Sequence, residues 1–266
     1  MSKRELLEDY RRPEDKIKLA EILDKLELAE KTHQMQITDF LDMYQISLAK
    51  SFLKKAQITN YEMKGGVEEA ERKVVLAIPE ENEEDQNTKI EEKLKAIRIT
   101  LPPEEIGNYS HRNYLGGIVK LGMKREKVGD ILVRDEGADI IVKAETAQVL
   151  KQELGTLTRF QKAQIEVIEL AEIKKPEIKT EELSIIVPSL RLDNIVSDLA
   201  RTSRSKAVQI IGQERVFING QNETKVAKTV KIGDVITIRG KGRFVVKGVT
   251  GTTRSGRSVL LIEKFS

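Results

Sequence analysis

The sequence predicts an α+β protein of three successive regions: a mainly helical N-terminal region over 1–82, a central domain over 88–172 and a C-terminal unit over 183–266. Three observations predict it. Apolar residues recur at helical spacing early in the chain. From Leu94 to Leu170 the pattern runs strand, helix, strand, strand, helix, strand. From Leu190 onward, two short helical stretches precede a set of short strands. With 266 residues, 39% of them hydrophobic, the chain can bury two or three cores.

Residues 5–31 read as helix, with Ile17, Ala20, Ile22, Leu23, Leu26 and Leu28 among Lys and Glu and with Pro13 near a start. Thr38-Asp39-Phe40-Leu41-Asp42 reads as a cap that opens a further helix, and Ser47–Lys55 as a helical turn or two. Gly65-Gly66, a short acidic stretch and Val74–Ile78 read as turn and strand. The acidic run from Glu80 to Asp85, continued by Gln86-Asn87, is expected to be a solvated linker. In the central domain, strands are expected at 97–101, 129–133, 138–142 and 165–170, and helices at 110–123 and 146–154. That β-α-β-β-α-β order is ferredoxin-like, the skeleton of many RNA-recognition domains. Its central strands carry Ile, Leu and Val where base-stacking Phe or Tyr would be wanted, so the domain is expected to be a scaffold or shape-reading partner. Residues 171–183, rich in Lys and Glu and holding Pro176, read as a second linker.

In the C-terminal unit, Leu192, Ile195, Val196 and Leu199 form one apolar helical face. Thr202 or Ser203 caps a second helix with Ala207, Ile210 and Ile211 inward. Val216–Ile218 and Val235–Ile238 read as strands, with Asn219-Gly220 as a turn. Beyond Phe244 a hairpin is expected, tipped by Thr252-Thr253-Arg254-Ser255-Gly256-Arg257. From residue 181 onward there are 15 Lys and Arg against 8 Asp and Glu, so a basic C-terminal third follows an acidic remainder. Arg204 and Lys206 sit in the first turn of a helix, where the dipole already favours an anion. Arg191 opens the other helix, and Lys225, Arg239, Lys241 and Arg243 lie on the strands and loops that follow. This charge distribution is the footprint of a nucleic-acid module. Asp193 is expected to orient a neighbouring Arg or amide, and Ser203 to be a helix cap. Arg254 and Arg257 are expected at the hairpin tip, either as a backbone clamp or as an ordinary solvated turn.

The blocks Arg191-Leu192-Asp193, Ser203-Arg204-Ser205-Lys206-Ala207, Val216-Phe217-Ile218-Asn219-Gly220 and Gly233-Asp234-Val235-Ile236-Thr237-Ile238-Arg239 resemble, in order, the small RNA-binding fold named after ribosomal protein S-four. Arg239-Gly240-Lys241-Gly242-Arg243-Phe244, the upstream chain and the Thr38–Asp42 stretch are similar to the YlmH family of bacterial RNA-binding proteins. The resemblance implies that Arg191, Ser203, Arg204, Lys206, Lys225 and Arg239 fall on or beside an RNA-facing surface. It also implies association with the large ribosomal subunit, near tRNA, in rescue or quality control of stalled translation.

The remaining chemistry narrows the function classes. The chain has no Cys and only His33 and His111, which leaves no His pair for metal or triad chemistry. His111, after Ser110 at a helix start, reads as a surface or phosphate-side residue. A pseudouridine synthase would need a second Arg-Leu-Asp, and a tyrosyl-tRNA synthetase its nucleotide-binding motifs; the sequence has neither, nor a glycine-rich phosphate loop. The charged N-terminus lacks a signal-peptide core and no run approaches membrane-spanning length, so a cytoplasmic location is expected. The expectation is therefore a non-catalytic binder of structured RNA, rRNA and/or tRNA, without cofactor, metal, membrane or small-molecule substrate. The alternative is a protein-interaction adaptor, tied to cell division, for which RNA binding is secondary.

Overall fold

The computed structural model describes residues 5–68, 70–79, 92–174 and 180–265. The chain forms two compact units, Met1–Pro176 and Glu177–Ser266.

The first unit begins with a short 3-10 turn, Glu5–Asp9, and helix α1, Pro13–Thr32. Pro13 fits the first helical position, where its missing N–H costs nothing, and Glu14 and Asp15 complement the dipole. The buried face is Asp15, Lys18, Leu19, Ile22, Leu23, Leu26 and Ala29. Ile17 and Leu28, which belong to the apolar pattern that marks this helix, are exposed. Polar bonds set the helix's rotation: Tyr44 Oη donates to Asp15 Oδ2 at 2.6 Å, and Lys18 Nζ reaches Glu126 at 3.2 Å. Strand β1, Gln36–Ile37, leads into the Thr38–Asp42 stretch, and Asp42 caps helix α2, Met43–Lys55, in a capping box with Gln45. Strands β2, Tyr61–Lys64, and β3, Val74–Ala77, complete an antiparallel sheet of order β1-β3-β2. The short strands β1 and β2 were not expected from the sequence. The run from Glu80 to Asn87, expected as a linker, lies outside the described residues.

The central domain follows as β4, Leu94–Thr100; α3, His111–Lys120; β5, Val128–Arg134; β6, Gly137–Lys143; α4, Ala144–Thr156; and β7, Gln164–Ile168. The antiparallel order β5-β6-β4-β7 is the ferredoxin-like arrangement the sequence predicts. Alternation divides the sheet. Ile97, Ile99, Ile140 and Val142 pack with Tyr114, Ile118, Leu150 and Leu154 of the two helices. On the opposite face, Leu94 and Ile141 pack under Met35, Phe40, Val74, Leu76 and Ile78 of the N-terminal region. Gly129 is required there, since a Cβ would lie 2.7 Å from the Phe40 ring. Asp39 fixes the same junction, pairing with Lys127 at 2.8 Å and Lys143 at 2.5 Å. The Thr38–Asp42 stretch is thus structural: it nails the N-terminal region to the central sheet.

The second unit starts with β8, Thr180–Val187. Its first residues were expected to belong to a linker, but they pair with β13 along its whole length. Helices α5, Leu192–Leu199, and α6, Arg204–Gly212, come next, then β9, Val216–Ile218; β10, Gln221–Asn222; β11, Val235–Ile238; β12, Gly242–Thr252; and β13, Ser258–Phe265. The six-stranded order is β10-β9-β11-β12-β13-β8. Asn219 and Gly220, both at positive φ, turn β9 into β10. The two helices lay Leu192, Ile195, Val196, Ala207, Ile210 and Ile211 onto Ile185, Ile236, Ile238, Phe244 and Leu260. Burying this many aliphatic side chains, at about 1.5–3 kcal/mol each, lets so small a unit hold two short helices in place.

Candidate nucleic-acid interface

The basic residues that the sequence singles out in the second unit fall into three groups. The first is built on Asp193, whose side chain is 2% exposed. Arg191 donates to its two oxygens from Nε and Nη2, each at 3.1 Å. Arg204 reaches Oδ2 from Nε at 2.8 Å and from Nη2 at 2.7 Å. Burial pushes the Asp193 carboxyl up, but the bonds from Arg191 and Arg204 outweigh it and hold the group below the ordinary carboxylate range. Asp193 thus carries negative charge at neutral pH and spends it on two cations. Both guanidinium-bearing side chains still reach solvent, at 40% and 57% exposure.

The loop after β10 closes against this group. Leu192 N donates to Lys228 O at 2.8 Å, Asp193 N to Val226 O at 3.1 Å, and Val230 N to Leu190 O at 2.9 Å. The first amides of α5 are therefore taken by backbone, and the loop presents Lys225, exposed, one residue before the carbonyl that accepts from Asp193 N. α6 differs. Ser203 caps it, Oγ accepting from Lys206 N at 3.3 Å, and its first turn carries Arg204 and Lys206 with no acidic residue. Among the described residues, Lys206 Nζ bonds only the neutral Gln209 Oε1, at 3.2 Å. Arg191, Ser203, Arg204, Lys206 and Lys225 are thus gathered around two helix starts.

The second group is the β11–β12 turn. Arg239 lies over the Phe217 ring at 4.8 Å and is exposed with Lys241. Arg215 Nη2 donates to Arg239 O at 2.9 Å, while Arg239 N donates to Arg215 O at 2.9 Å, so the turn is stapled to the strand beside it. Arg243 stands apart from its neighbours. It is half-buried over the Phe265 ring at 5.2 Å, and burial lowers its guanidinium's pKa. The third group is the hairpin tip, where Thr253 N donates to Arg257 O at 2.8 Å and Arg254 and Arg257 are both exposed.

Two further cations belong with the first two groups. Arg201, exposed and at φ 50°, forms the turn between α5 and α6. Arg215 belongs with the β11–β12 turn. The sequence holds both in plain view, but only the backbone bonds show that their turns sit among the other basic positions. In the first unit, His111 is solvent-accessible at the start of α3.

Comparison with known proteins gives a consistent picture. Residues 89–176 match the family model described as a putative RNA-binding domain in YlmH, and residues 190–236 match the S4 domain model. Over 255 residues the chain is 26% identical to the ribosome-associated protein quality control protein P2 of Bacillus subtilis (strain 168), covering 95% of this chain and 96% of that protein. A 72-residue stretch, 27% of this chain, is 36% identical to the small ribosomal subunit protein uS4 of Rubrobacter xylanophilus and covers 36% of it. Among solved structures, the cell division protein ylmH from Streptococcus pneumoniae aligns with a TM-score of 0.47 and 19% identity, over 61% of this chain and 96% of that one.

Proposed function

We propose that this chain, which belongs to the YlmH family and carries that family's RNA-binding domain ahead of an S4 domain, is a non-catalytic binder of structured RNA acting on the ribosome. The finer reading is contact with rRNA and/or tRNA at the large subunit, during rescue or quality control of stalled translation. It is supported by the ribosome-associated quality-control relative that aligns over 95% of the chain.

One observation carries the reading. A buried carboxylate, Asp193, aims two arginines outward from the starts of two adjacent helices. The cations are not buried with their carboxylate, so both remain available to a phosphate. Guanidiniums held in fixed orientation suit bidentate phosphate contact, because little side-chain freedom is left to lose on binding. Ser203, Lys206 and Lys225 extend the same surface. Arg239, Lys241, Arg254 and Arg257 supply outlying cations for a bound RNA that continues past it. Arg243, half-buried, has the weakest claim of the ten.

Affinity for ribosomal particles should fall steeply as salt rises, since each phosphate contact releases counterions. Replacing Arg204 with Ala should weaken binding about tenfold and lower the slope of log affinity against log salt by about one unit. An unchanged slope in that variant would remove Arg204 from the phosphate.

A further inference from the structure

A second group of unmatched cations lies on the first unit. Helix α3, His111–Lys120, contains no acidic residue. Arg112, Gly116, Val119 and Lys120 recur at i, i+4, i+7 and i+8 along one exposed stripe of it, spanning about 12 Å. The 3-10 turn Thr158–Phe160 lays Arg159 across that stripe. Arg159 Nη1 donates to Asn113 O and sits 3.6 Å from where a Gly116 Cβ would be. Tyr109 Oη, at 2.8 Å from Arg159 O, anchors the turn. Lys120, Leu157, Thr158 and Arg159 then line an open cleft of about 290 Å³.

Several other cations on this unit have partners: Lys16 with Glu8, Lys18 with Glu21 and Glu126, Lys95 with Glu169, and Lys127 and Lys143 with Asp39. Lys162, next to the turn, is matched by Glu104 at 3.6 Å. Among the described residues, Arg112, Lys120 and Arg159 have no ion pair. Three exposed cations without an ion pair on one ridge, beside a helix that carries no acidic residue, present a row of positive potential to an anionic partner. The sheet face of the same domain cannot serve, because Asp139 and Ile141 on it are fully buried.

We infer that the ridge formed by Arg112, Arg159 and Lys120 is a second RNA-backbone docking surface, so that the central domain binds through its helical side. This rests on the reading that the chain binds RNA. It goes further in placing contact on a face opposite the one that RNA-recognition domains of this topology use.

The test uses the full chain and purified ribosomal particles, with sedimentation across a salt series. The Arg112→Glu/Lys120→Glu variant should lose at least tenfold in affinity and lower the salt slope by about two units, about one for each lost contact. Lys50→Glu, an exposed site on α2, controls for charge reversal alone and should change neither by as much as half. Melting curves establish that all variants fold alike. In parallel, a photo-crosslinking amino acid at Gly116, where a side chain has room, should crosslink to RNA. If the double variant binds as Lys50→Glu does, or the crosslink goes to protein, the inference is overturned. A simultaneous loss on Arg204→Ala would then leave the C-terminal interface standing. If neither variant weakens binding, the reading of the chain as an RNA binder falls with it.

Discussion

Each unit of this molecule contains an aspartate that holds two arginines, and the two assemblies are put to opposite uses. In the first unit, Asp139 on β6 is fully buried and takes Arg98 bidentately at 2.9 and 2.8 Å, while Arg134 lies at 3.0 Å. Those arginines are 13% and 9% exposed. Arg98 also donates to Glu172 O, and Asp139 accepts from Lys174 N, so the network binds the segment after β7 onto the sheet. In the second unit, Asp193 does the same with arginines that are half in solvent. The chemistry is common to both; the difference is where the cationic ends finish. A buried end can only stabilise, whereas an exposed one is held ready for a partner.

The largest effect should come from breaking the buried assembly. Asp139→Ala would take from the buried Arg98 its counter-charge and leave Arg134 only Glu136, a loss of about 3–5 kcal/mol. Hydrogen exchange read peptide by peptide should show protection falling across β4–β7 while the second unit is unmoved. Loss in both units alike would mean the two do not fold as separate compact bodies. A second contrast lies in acid response. Burial pushes the Asp130 carboxyl up to about 6, against the bonds it accepts from Glu71 N and Arg72 N. A raised carboxyl favours the folded state most where it is protonated, so this contribution falls as pH rises from about 4 to about 6, by at most about 3 kcal/mol. Asp193 and Asp139, held low, contribute above the unfolded value near 4 and lose that contribution as pH falls through their depressed values. Asp130→Asn should therefore flatten the first unit's stability between pH 4 and 6, measured by denaturant unfolding. A slope unchanged by the substitution would show that this carboxyl titrates normally.

The two assemblies also differ in how well the sequence displays them. Arg191 and Asp193 are two residues apart in a helix start, and Arg204 opens the next helix, so the local pattern exposes both the aspartate's orienting role and the basic surface. Arg98 and Asp139 are 41 residues apart. They meet only because β4 and β6 pair in the register Arg98↔Asp139, which no local pattern announces. The same limit hid β8. Thr180-Glu181-Glu182 reads as polar linker, and becomes strand because β13 offers it a partner. Ile17 and Leu28 share the apolar pattern of α1 yet are exposed, because the helix is rotated by polar bonds that lie outside any apolar count. Helix caps, the Asn219-Gly220 turn and the order of the central domain were legible because each is set by neighbours within a few residues.

The smallest effect would sharpen the comparison most. Asp193→Asn removes one negative charge from beneath the basic surface and changes little in shape. If bulk potential governed RNA binding, the variant would bind more tightly, because the surface gains a unit of positive charge. If Asp193 acts by holding Arg191 and Arg204 in position, the variant should bind about three- to tenfold more weakly, on the order of 1 kcal/mol, despite that gain. Orientation should prevail, because both guanidiniums make their charge-assisted bonds to this one carboxylate and would regain rotamer freedom without it. Measuring affinity across a salt series, with melting curves alongside, separates the two. Weaker binding at every salt concentration, with the melting temperature shifted by only a few degrees, marks a positioning residue. Tighter binding would mean that Asp193 merely moderates the field, and that the two assemblies are more alike than their exposure indicates.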